Sequence, residues 1–202
     1  MQQLTDQYVA FVLRRFGKKA HVVFDGYSGG ASIKDHEHAR RAGKVTKVAP
    51  HVHLQLQTVM MFDQDSVLAN DSNKQQLITL LSQQLQCRNV ATRQSTDDAD
   101  VDIVAVALDI AGCDKQTVAV YAEDTDILAL LIHHRRPDMG EIFMFSDRKS
   151  KSQADGKCIR ISEMQSHLGV AVCRYVLVIH SFGGCDTTSA IYGRGKATSC
   201  PD

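Results

Sequence analysis

Only three prolines and no low-complexity tract occur in these 202 residues, so no long disordered tail is expected. No apolar run approaches the roughly 18 residues that a membrane helix needs, which argues against a membrane span and a membrane partner. The first residues lack the apolar stretch of an export signal. Net charge is also missing, with 23 basic residues balancing 23 acidic ones, so a polyanion would have to be met by local patches. There is no CxxC pair. Cys87, Cys113, Cys158, Cys173, Cys185 and Cys200 are scattered, which excludes a zinc ribbon or a secreted disulfide scaffold and points to reduced thiols inside a cell. No GxSxG, P-loop, GxGxxG or HExxH motif is found, and the paired histidines (His36 with His38, His51 with His53, His133 with His134) make no compact ligand set.

What is present suits one well-buried domain over residues 1–202, with 44% hydrophobic and 23% charged residues. "DQYVAFVLRRFG" reads as a helix stopped by Gly17, and "AHVVFD" (20–25) as a buried strand ending in Asp25. A glycine-rich turn, "GYSGG", then leads to a polar, basic segment over 34–47. "HVHLQLQTVMMF" (51–62) alternates at its start and fits strand or helix. "SNKQQLITLLSQQLQ" (72–86) predicts a helix capped by Ser72 with a stripe of Leu77, Leu80, Leu81 and Leu85. "NVAT" (89–92) is a short strand, and "STDDADVDIVAVALDIAG" (95–112) a helix with a Ser/Thr cap, acids in its first turn and Gly112 at its end. Further strands are expected at 116–122, 141–145 and 157–162, with helices at "TDILALLIHH", "ISEMQSHLG" and "VCRYVLVIHSFGG". Strands alternating with helices predict an α/β fold with a mostly parallel sheet.

In such a sheet, ligands bind outside the carboxyl ends of the strands. Asp25 ends one predicted strand, Asp124 and Asp126 follow another, Asp98 and Asp100 open a helix, and Asp186 follows a glycine pair after the last apolar segment. Each stretch alone has a plain structural reading as a solvated strand end, a turn or a helix start. Brought to one rim, however, the carboxylates would repel one another unless cations neutralised them. An all-oxygen set suits Mg²⁺ or Mn²⁺, and two such ions about 4 Å apart would polarise a phosphate and activate water.

Read in order, "VVFDGYSGGASIKDHEHARR", "STDDADVDIVAVAL", "AVYAEDTDILAL" and "HSFGGCDTTSAIYGRGKATS" resemble the flap endonuclease and XPG nuclease family, within the PIN-like fold. The resemblance runs from about residue 20 to 200. It implies a three-layer α/β/α domain and, as metal ligands, Asp25, Asp98, Asp100, Asp124, Asp126 and Asp186. Lys34 and Arg41 fall where that family carries two basic catalytic gateway residues. With Arg40, and with Gly193, Gly195 and Lys196 of a backbone-gripping hairpin, they would hold nucleic acid. The chain departs from the pattern in two ways. It has no earlier strand ending in a metal-binding aspartate, since only 24 residues precede Asp25, and it stops soon after the hairpin motif. An incomplete domain is therefore expected at both ends. Asp98 and Asp100 also replace glutamates, shortening each reach by one methylene.

The implied function is a Mg²⁺- or Mn²⁺-dependent, structure-specific nuclease with two ions, acting on branched or flapped DNA (or RNA) inside the cell, in the nucleus. The alternative is a catalytically inactive relative that binds nucleic acid or protein. A "DxD" metal-dependent transferase would need a nucleotide-binding strand and turn near the N-terminus, which this sequence lacks.

Overall fold

The structure, a computed structural model, describes residues 1–26, 48–96, 98–113, 115–146 and 157–182. The chain is a mixed α/β protein that divides into two compact units, Met1–Ala99 and Asp100–Asp202.

In the first unit, α1 (Gln2–Phe16) turns Val9 and Val12 inward and ends at Gly17, whose φ of 77° releases the helix. Strand β1 (His21–Phe24) follows, then the short helix α2 (Gln64–Leu68), α3 (Asp71–Gln86) and β2 (Ala91–Gln94). β1 and β2 pair in parallel from His21↔Ala91 to Phe24↔Gln94. Val9 and Val12 of α1 share a buried cluster with Leu85 of α3 and with Val90, and Val22 and Phe24 of β1 pack against it. Fully burying a side chain such as Leu85 stabilises by roughly 1.5–3 kcal/mol.

Several expectations shift here for local reasons. The cap of α3 is Asn70, whose side chain accepts from the N–H of Asn73, rather than Ser72. Its buried stripe is Ile78, Leu81 and Leu85, with Leu77 and Leu80 only partly covered. Strand β2 starts two residues later than expected because Asn89 takes a left-handed turn (φ 60°). Residues 51–62 form neither strand nor helix. Their backbone is captured by side chains of α3 instead: Val52 N–H donates to Asn73 Oδ1 at 2.8 Å, and Leu54 N–H to Gln76 Oε1 at 2.9 Å.

The second unit contains α4 (Ala99–Cys113, its first residue closing the first unit), β3 (Val118–Tyr121), α5 (Thr125–His134), β4 (Ile142–Ser146), β5 (Lys157–Arg160) and α6 (Ile161–Phe182). β3 and β4 are parallel, joined through α5, while β5 runs antiparallel to β4. Val104, Ala107 and Ala111 of α4, Val120 of β3, Ile127, Leu131 and Ile132 of α5, Ile142 and Met144 of β4, and Ile161 of α6 form one buried cluster. The strand expected over 157–162 stops at Arg160, since Ile161 is fully buried and begins the next helix. Both helices expected after it are present within α6, broken at Gly169, whose φ of 77° and ψ of 161° no helix contains. Among the described residues the strands make a two-stranded and a three-stranded sheet.

At the amino end of β4, Arg135 is nearly buried and donates to Glu141 Oε1 at 2.9 Å and to Gln165 Oε1 at 3.2 Å. Ser162 Oγ donates to Glu141 Oε2 at 2.6 Å, and Arg160 Nε lies 3.2 Å from the same oxygen. The Ser162 hydroxyl, then the two guanidinium groups, hold the Glu141 carboxyl below its ordinary pKa.

Candidate metal centre

β3 is an apolar strand that ends at Tyr121, and Ala122 N–H donates to Phe145 O at 3.0 Å, carrying the pairing one residue further. The chain then has to start a helix. Asp124 takes the extended conformation of an N-cap (φ −84°, ψ 135°), and its Oδ1 accepts the backbone N–H of Asp126 at 2.9 Å. Asp126 lies in the first turn of α5, and Asp100 in the first turn of α4. Helix starts carry partial positive charge, which favours carboxylates at these positions.

Asp100, Asp124 and Asp126 converge: each can offer a carboxylate oxygen lying within 4.8 Å of those of the other two. None of the three is fully buried, so water can complete a ligand shell. His180, in the last turn of α6, joins them, with Nε2 2.7 Å from Asp126 Oδ1. The donor set of three carboxylates fits a hard divalent cation such as Mg²⁺ or Mn²⁺, which would be held by Asp100, Asp124 and Asp126. Among the described residues no other group of three or more His, Cys, Asp or Glu side chains offers such a set.

Asp25 and Asp98 belong to the first unit. Asp25 follows β1 in the first unit, and its Oδ1 accepts the N–H of Ala99, the first residue of α4, at 3.1 Å. This replaces the Ser/Thr cap expected at the start of 95–112. The helix begins only at Ala99 because Ser95 N–H still donates to Phe24 O at 3.0 Å, extending the β1–β2 ladder. Gly26 packs so closely on the backbone of Ser95 and Thr96 that a Cβ would overlap it. Asp98 is half-buried, just ahead of α4, in the same unit as Asp25. Lys34, Arg40, Arg41, Asp186, Gly193, Gly195 and Lys196 lie outside the described residues.

Sequence reasoning missed His180. Its signal was faint: a single imidazole closing the apolar run "YVLVI", a position easily read as a helix end meeting water. Among the described residues Cys87, Cys113, Cys158 and Cys173 form no disulfide. No helix among the described residues is long and apolar enough to cross a membrane. No protein-family model, curated protein or solved structure matches the chain.

Proposed function

We propose that this chain is a PIN-like α/β/α nuclease domain of the flap endonuclease type, hydrolysing phosphodiester bonds of branched DNA or of RNA with Mg²⁺ or Mn²⁺. The observation that supports it is the convergence of Asp100, Asp124 and Asp126 within 4.8 Å, just past the carboxyl end of a parallel strand. That is where α/β sheets bind their ligands. A bound divalent cation supplies water activation and neutralises charge on the phosphate. The chain's own part is to hold the three carboxylates on two helix starts, so that the cation-binding oxygens are ordered before substrate arrives. Asp25, Asp98 and Asp186 are the further direct or water-mediated metal ligands that the family resemblance implies. Lys34 and Arg41 would then neutralise and orient the substrate phosphate, with Arg40, Gly193, Gly195 and Lys196 gripping the strand backbone. The site of action in this reading is the nucleus.

A second reading, a non-catalytic module that binds nucleic acid or protein, draws on Asp25. Its carboxylate already serves a structural role at the Ala99 N–H. One experiment separates the two. Under the nuclease reading, Asp124→Asn combined with Asp126→Asn abolishes Mg²⁺-dependent cleavage of a branched DNA and leaves DNA binding largely intact. Wild-type protein that neither binds Mn²⁺ nor cuts any DNA or RNA supports the module instead.

A further inference from the structure

His180 reaches Asp126 from the far end of α6, across 54 positions of sequence, with Nε2 2.7 Å from Oδ1. Both side chains are largely covered, at 17% and 22% exposure, so water competes weakly for this contact. An ionised carboxylate only accepts, so Nε2 carries the hydrogen and the ring donates. The α5–α6 interface has other contacts besides this bond. Leu131, Ile132 and Ile161 are buried in the shared core, and Gln165 Nε2 donates to the carbonyls of Ile132 at 2.8 Å and Arg135 at 2.9 Å. His180 acts at the opposite end of α5, where the acids are.

We infer that His180 is a positioning residue for the cation, an inference that rests on the metal-dependent reading of the acidic cluster. Asp126 is held at two points: its backbone N–H is taken by Asp124 Oδ1, and its Oδ1 by the imidazole. A single carboxylate orientation is thereby selected, with Oδ2 and the second lone pair of Oδ1 left for a cation. Partners that orient a ligating group in this way typically change metal affinity by about 10–100-fold when removed.

The test is a Mn²⁺ titration of the full chain, followed by electron paramagnetic resonance of the free ion, alongside metal-free thermal unfolding. His180→Leu removes the donor at similar volume, and His180→Phe keeps a ring without the N–H should the leucine variant not fold. Either is expected to weaken Mn²⁺ binding about 10–100-fold. His180→Gln, whose amide can still donate, recovers most of that loss. Unchanged Mn²⁺ affinity with a lowered metal-free midpoint would overturn the inference and leave His180 as a tie between helices. A wild-type chain that binds no Mn²⁺ overturns the inference together with the metal reading. Mn²⁺ binding without cleavage of DNA or RNA overturns the nuclease alone and leaves the positioning role standing.

Discussion

Asp124 Oδ1 accepts the backbone N–H of Asp126 at 2.9 Å, so the carboxylate that starts α5 is also a member of the acidic cluster. Structure and chemistry therefore share one side chain, and substitutions can separate them. Asn caps a helix about as well as Asp, whereas Ala costs about 1 kcal/mol. Asp124→Asn is expected to leave metal-free stability within about 0.5 kcal/mol and to weaken Mn²⁺ binding strongly. Asp124→Ala loses both. Urea unfolding beside a Mn²⁺ titration distinguishes the two losses, and an Asn variant with full Mn²⁺ affinity would remove Asp124 from the site.

Glu141 supplies the pH dependence. Its folded pKa lies below the ordinary 4.5, through the Ser162 hydroxyl first and then Arg135 and Arg160. A depressed carboxyl pKa means that the unfolded chain binds the proton more readily. The stability from this network is thus fully present above about pH 4.5 and is lost as pH falls through the lowered value. Glu141→Gln should flatten the acid limb of the stability profile. It should also cost about 1–3 kcal/mol at neutral pH by weakening the bonds to nearly buried Arg135. An unaltered acid limb would contradict the assignment.

Two glycines of the second unit should respond to alanine with opposite signs. Gly140 N–H donates to Ala111 O at 2.8 Å, and a Cβ there would overlap the backbone of Gln116. Backbone cannot rotate away as a side chain can, so Gly140→Ala should cost about 1–3 kcal/mol or more. Gly112, near the end of α4, would meet only Met139 Cε at an ordinary 3.7 Å. Gly112→Ala should therefore stabilise by about 0.5–1 kcal/mol through helix propensity. Denaturant midpoints of the two variants check both signs.

How much of this was legible beforehand depended on range. The β3–Asp124–α5 passage could be read because its signals lie side by side: an apolar strand, two acids and an apolar helix, although the capping role of Asp124 came only with the structure. The cap of α3 was misplaced by two residues because Asn70 and Ser72 are both good caps, and local chemistry does not choose between them. Residues 51–62 stayed ambiguous because their backbone partners, Asn73 and Gln76, sit on a helix more than 20 positions away. His180 was out of reach for the same reason. An apolar helix states that it will be buried, and says nothing of which acid its last polar residue will find.

Gly169 has a part in that meeting. Its φ of 77° and ψ of 161° belong to a region open essentially to glycine alone, and no atom lies near enough to oppose a Cβ. The bend is thus owed to the missing side chain and to nothing that crowds it. A residue with no chemistry of its own re-aims the second half of α6, the imidazole included, and so the meeting of His180 with Asp126 depends in part on a corner in the backbone.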